Sequence, residues 1–164
     1  MAAFVVDTDI ASEILLGDWD LASSLANLQR RGDRVYFSEA TRGELHSWSS
    51  ASAPDLAKAD TLLASVDAVL DVDSTISRKA GELRRLSSHS VGQRCPSCGK
   101  VTGGKLKLPD AMIAATAVTE GATLITNNGA DYQPLVGYGV LKVMSGRDLI
   151  AQFGPQQTGQ GLTP

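Results

Sequence analysis

Five short apolar runs, parted by stretches of helical spacing, constrain what this chain can fold into more than any other feature. The runs cover residues 3–6, 35–37, 69–72, 122–125 and 140–143. Each is too short for a buried helix and, apart from Asp71 and Lys142, carries no charge, which is the pattern of a strand covered on both faces. Between them, Leu21, Leu25 and Leu28 mark a helix over 19–30 that Gly32 ends. Thr8 or Asp9 is expected to cap an earlier helix carrying Ile10, Ile14 and Leu15. Ser38 is expected to cap a helix through Trp48, and Pro54 to open one with Leu56, Leu63 and Val66 inward. Asp73 or Ser74 caps a helix with Ile76, Ala80 and Leu83. Pro109 sits in the first turn of a helix that Gly121 closes, and Ser145 caps a last one with Leu149 and Ile150.

Strands alternating with helices predict an α/β fold, a three-layer α/β/α sandwich around a parallel sheet of four or five strands. In such sheets a ligand crevice lies beyond the carboxyl ends of the strands. The 164 residues amount to one domain, placed at 1–152, with a disordered tail at 153–164 rich in Gly, Gln and Pro. A loop over 88–107 interrupts the pattern. The N-terminus lacks a basic region and meets a charge at Asp7, and no apolar run approaches the roughly 20 residues of a bilayer span. A cytoplasmic protein with no membrane partner is expected. The net charge of −3 excludes the basic footprint of a passive nucleic-acid binder. Two cysteines exclude a disulfide scaffold.

Acids gain weight where they follow a strand or open a helix, and four segments qualify. Asp7 ends the first run in Val5-Val6-Asp7-Thr8-Asp9. Glu44 lies in Ser38-Glu-Ala-Thr-Arg-Gly-Glu44-Leu45. Asp110 opens Leu108-Pro-Asp110-Ala-Met-Ile-Ala-Ala-Thr-Ala117. Asn128 and Asp131 follow the fourth run in Thr126-Asn-Asn128-Gly-Ala-Asp131-Tyr132. Taken singly, any of these acids reads equally as a helix cap or a dipole partner. Gathered together, their charges would repel and raise one another's pKa, a conflict that a hard divalent cation removes.

These four motifs, in this order, resemble those of VapC-type PIN domains across residues 5–132. The resemblance implies a PIN-like fold and an endoribonuclease dependent on Mg²⁺ or Mn²⁺, hydrolysing RNA phosphodiesters by a metal-activated water. It implies a toxin of a type II toxin–antitoxin pair, a homodimer bound by a cognate antitoxin. By motif position Asp7, Glu44 and Asp110 would be the metal-binding catalytic acids. Asn128 and Asp131 would form the fourth site, with Asp131 as its acid, while Thr8 and Asp9 would either orient Asp7 or contact metal-bound water. Two other readings stand beside it: a PIN-like nuclease acting in RNA processing or on DNA, and a non-catalytic α/β binding module.

Two further features belong to the 88–107 region. Cys95-Pro-Ser-Cys98 is a knuckle of the kind that supplies half a Zn²⁺ site, completed by His89 as a candidate third ligand or by a second knuckle across a dimer, or else a redox-active dithiol or a plain turn. Arg84, Arg85, Arg94, Lys100, Lys105 and Lys107 gather before Asp110, either to steer a phosphate backbone or as a solvated face. His46, Trp19 and Trp48 read as packing or surface groups.

Overall fold

The computed structural model describes residues 1–47, 52–88 and 106–155. Four of the five apolar runs become strands close to where they were expected. These are β1 (Ala3–Val6), β2 (Arg34–Ser38), β4 (Thr123–Ile125) and β5 (Lys142–Met144). β3 (Ala68–Leu70) starts one residue earlier and stops two short of the expected 69–72, and β5 starts two residues later and ends one beyond the expected 140–143. Among the described residues the strands form one parallel sheet in the order β3-β2-β1-β4-β5, with Val5 paired to Tyr36 on one side and Leu124 on the other. After β3 the chain crosses back to the far side of β1. The order therefore reverses between β1 and β4, and the topological crevice lies beyond the carboxyl ends of those two strands.

The helices are α1 (Thr8–Leu15), α2 (Trp19–Arg30), α3 (Glu39–His46), α4 (Ala53–Ala64), α5 (Ser74–Ser88), α6 (Leu108–Thr119), α7 (Gly129–Gly137) and α8 (Gly146–Phe153). Caps set most of their starts. Ser38 accepts from the Ala40 N–H, Ser52 and Asp55 form a reciprocal capping box, and Ser145 accepts from the Asp148 N–H. Asp73 accepts from both Thr75 and Ile76 and so is the cap of α5. Gly32 and Gly121 follow α2 and α6 at φ +84° and +61°, left-handed backbone that glycine adopts without strain. Three expectations needed correction, the first being that α3 ends at His46, short of the expected Trp48. The cap of α1 is Asp7, not Thr8 or Asp9. The helix α7 was not foreseen at all, because a glycine at each end and Pro134 within it suppress the pattern.

Alternation along the strands divides the core between the two sheet faces. Val5 and Leu124 pack with Ile76, Ala80 and Leu83 of α5, the apolar body of α6, and Tyr132 and Leu135 of α7. Phe4, Val6, Val35, Phe37 and Ile125 pack with α1, α2, α4 and α8 through Ile10, Leu21, Leu25, Leu28, Leu63 and Leu149. The two clusters are the outer seams of an α/β/α sandwich, as expected. α6 is buried nearly all round, through Ala111, Ile113, Ala114, Ala115, Thr116 and Ala117, and its small side chains let it lie close to the sheet. Below it Thr116 donates to Ser38 at 3.2 Å, tying α6 to the end of β2.

A close approach between elements lies at Gly146, where α8 begins. A Cβ built there would stand 2.9 Å from Asn127 Oδ1, 3.0 Å from Ile10 Cδ1 and 3.1 Å from Leu21 Cδ2. Asn127 cannot easily yield, because its Oδ1 accepts from the Gly146 N–H at 2.8 Å and its Nδ2 donates to Glu13. Gly146→Ala is therefore expected to lower stability by about 1–3 kcal/mol, the range for overpacking a filled site. Thermal or urea denaturation measures this, and an unchanged midpoint contradicts it.

Candidate active site

An α/β sheet of this kind brings acids together by a simple rule. Helices run back against the strands, so their N-termini return to the carboxyl edge. Asp7 is the cap of α1, Asp110 lies in the first turn of α6, and Asp131 lies in the first turn of α7. All three acids open helices and so collect at that edge, beside the β1–β4 reversal.

Asp7 is the most deeply held, only 5% exposed. Its N–H extends the β1–β4 ladder by donating to the Ile125 carbonyl at 3.0 Å. Its Oδ1 accepts from the Thr8 N–H at 2.8 Å, and its Oδ2 accepts from the Tyr132 hydroxyl at 2.9 Å. Burial, reinforced by the charge of Asp9, pushes the carboxyl up to about 7 despite these bonds. Burial and the charge of Asp7 drive the Tyr132 phenol far above its ordinary value, so it remains a donor. Glu44 reaches the same corner from α3, where its Oε2 accepts from the Thr8 hydroxyl at 2.5 Å.

Asp110 is partly exposed, and desolvation followed by the charges of Glu44, Asp131 and Asp9 raises it to about 6. Lys107, at the α6 cap position, opposes the shift. Asp110 thus lies in one field with Glu44, Asp131 and Asp9, and Tyr132 feels both Asp7 and Asp110. Asn128 turns its amide onto Asp131. Glu44, Asp131 and Asp9 thus bear on Asp110, and Asp9 bears on Asp7.

Asp9 plays a different part. Its Oδ1 accepts from the Ile10 N–H, while its Oδ2 accepts from the Asn127 N–H at 2.8 Å and the Thr126 hydroxyl at 3.2 Å. It staples the β1–α1 corner to the loop after β4. Thr126, Asn127, Glu13 and Tyr132 are residues that sequence reasoning did not assign to the site. Thr126 and Tyr132 carried a signal, as the first and last residues of the fourth motif.

Other expectations resolve more simply. Arg84 spends its Nε on the Leu106 carbonyl at 2.9 Å, a structural role, whereas Lys107 is exposed beside Asp110. His46 pairs with Asp60 at 2.9 Å on the surface. Trp19 is 78% exposed. His89, Arg94, Cys95, Cys98, Lys100, Lys105 and Trp48 lie outside the described residues. No helix among the described residues is long and apolar enough to cross a membrane.

Among the described residues no three His, Cys, Asp or Glu side chains form a ready-made metal cage. The donor set nevertheless fits a hard divalent cation. Such an ion is often held by one or two carboxylates and completes its shell with water and phosphate oxygens. Among the described residues Glu44, Asp131 and Asp9 raise the Asp110 carboxyl and Lys107 lowers it.

Fold and site together define a parallel α/β protein with an acidic centre at its topological switch. A family model for the PIN domain matches residues 4–132, and the chain belongs to that family. PIN domains are nucleases. Solved structures with the same fold include the VapBC2 complex of Rickettsia felis bound to a promoter DNA fragment. It is 20% identical, with TM-score 0.67, covering 87% of this chain and 98% of that one. The DNA-bound VapBC of Salmonella typhimurium is similar at 21% identity and TM-score 0.66, covering 89% and 99%. A toxin–antitoxin complex from Klebsiella pneumoniae gives 21% and 0.59, covering 89% and 98%. No curated protein sequence matches the chain.

The raised acid at Asp7 has a consequence for stability. Below the ordinary 3.8 the folded and unfolded states both hold the proton, and Asp7 imposes no penalty. As pH rises toward 7 the unfolded chain ionises first, and the folded state is progressively disfavoured, fully so above that value. In metal-free buffer Asp7→Asn should therefore gain stability relative to wild type between pH 4 and pH 8, by up to about 4 kcal/mol. A difference in melting temperature that stays constant across that range contradicts the assignment.

Proposed function

We propose that this protein is a metal-dependent endoribonuclease, the toxin of a type II toxin–antitoxin pair, acting on RNA as a homodimer and restrained by a cognate antitoxin. The observation that carries the reading is the bond from the Thr8 hydroxyl to Glu44 at 2.5 Å, which brings the acid of α3 to the corner where Asp7, Asp110 and Asp131 open helices. Asp7, Glu44 and Asp110 would hold Mg²⁺ or Mn²⁺, with Asn128 and Asp131 beside them. The ion would neutralise charge on a phosphodiester and make a water more acidic.

The chain's own residues prepare that chemistry. Thr8 turns the Glu44 carboxylate toward the Asp7 corner, and Asp9 holds the loop after β4 against it. Lys107, exposed at the mouth of α6, offers a cation to the phosphate backbone. The fold likeness to toxin–antitoxin complexes supports a protein partner. So do Leu16 and Trp19, which stand 84% and 78% exposed at the α1–α2 turn.

The test is cleavage of total RNA, with single-stranded DNA alongside, in the presence of Mn²⁺. RNA should be cut with discrete 5′ ends. Asp7→Asn and Asp110→Asn should each lose on the order of a hundredfold or more in rate with native far-UV circular dichroism, since loss of a ligand exceeds the ten- to hundredfold typical of its outer partners. Mn²⁺ should also raise the melting temperature of the wild type and not of Asp110→Asn. Cleavage undiminished in both variants removes the mechanism, and preferential cutting of DNA removes the substrate assignment. Growth arrest on expression, relieved by the product of an adjacent gene, checks the toxin role.

A further inference from the structure

Tyr132 ties the first acidic motif to the last from within the core. Its side chain is 1% exposed and lies in the core cluster with Leu124, Leu135 and Leu141. Packing alone asks only for the ring, which phenylalanine supplies. The added hydroxyl must find a partner in that apolar setting or cost stability, and it donates to Asp7 Oδ2 at 2.9 Å. The other oxygen of the same carboxylate accepts from the Thr8 N–H at 2.8 Å. Two donors from separate elements therefore grip the two oxygens and fix the plane of the group. An ionised carboxylate offers about four lone-pair positions; the Thr126 hydroxyl also bears on this carboxylate, which leaves one position open.

We infer that Tyr132 is a positioning residue for Asp7: its buried hydroxyl determines which lone pairs of that carboxylate face the acidic pocket. The inference rests on the nuclease reading of the same site. Because Asp131 is the preceding residue on the same turn of α7, Tyr132 also sets the register between the first and fourth acids. Moving the hydroxyl frees Asp7 to rotate and uncouples α7 from the β1–α1 corner. Outer partners of this kind typically change metal affinity or activity by ten- to hundredfold.

Tyr132→Phe in the full chain keeps the ring and removes the donor. Mn²⁺ titrated by calorimetry should bind about tenfold more weakly, and kcat on RNA should fall on the order of tenfold with KM nearly unchanged. In an Asp7→Asn background, where no buried anion has lost its donor, the same change should leave Mn²⁺ binding alone. Wild-type Mn²⁺ affinity and kcat in Tyr132→Phe overturn the inference. An equal loss in both backgrounds also overturns it, since it would mark a purely structural residue. If the wild type neither binds Mn²⁺ nor cuts RNA, the nuclease reading fails on its own. The ¹³C carboxyl resonance of Asp7 in the metal-free protein then decides the positioning claim. A resonance moved by Tyr132→Phe upholds it, and an unmoved one sinks it.

Discussion

Three structural demands meet at Asp7. Its N–H closes the last rung of the β1–β4 ladder, its carbonyl accepts the first helical bond of α1 from Ala11, and its carboxylate is gripped by Thr8 and Tyr132. One residue thus ends the central strand, starts a helix and anchors an acid at the point where strand order reverses. The remaining acids are arranged around that corner. Glu44 comes to it through Thr8, and Asp131 through the neighbouring Tyr132.

Placing a carboxylate there sets stability against function. Burial raises Asp7 to about 7, and mutual repulsion with desolvation raises Asp110 to about 6. Helix N-termini favour negative charge by only some 0.3–1 kcal/mol each, so the dipoles of α1 and α6 soften the strain without removing it. A core designed for stability alone would hold neutral residues at these positions. Unresolved electrostatic cost in a crevice is the usual mark of a functional centre, and here it sits where the topology alone would place a ligand.

The rest of the molecule keeps these acids in register. The small side chains of α6 let that helix settle between α5 and the sheet, which aims Asp110 at the β1–β4 crevice. Asn127 links α1, the loop after β4 and the start of α8 through Glu13 and Gly146, so the loop bearing Asn128 is braced from two sides. On the opposite sheet face the leucines of α2 and α8 complete the layer without touching the chemistry.

Much of this was legible in the chain itself. The apolar runs, the caps at Ser38 and Ser145, the glycines at 32 and 121, and the acids at 7, 44, 110 and 131 all act locally. A strand or a helix end declares itself within a few residues. The helix α7 was hidden, because glycines and a proline give poor local signal and it forms only by burying Tyr132, Pro134 and Leu135 against the sheet. Strand order, the bond from Tyr132 across 125 residues to Asp7, and the staple from Asp9 to Asn127 belong to tertiary structure alone. Local sequence can dictate which residues carry charge and where elements begin. Which charges become neighbours depends on the sheet's crossovers, and only the assembled core brings those into being.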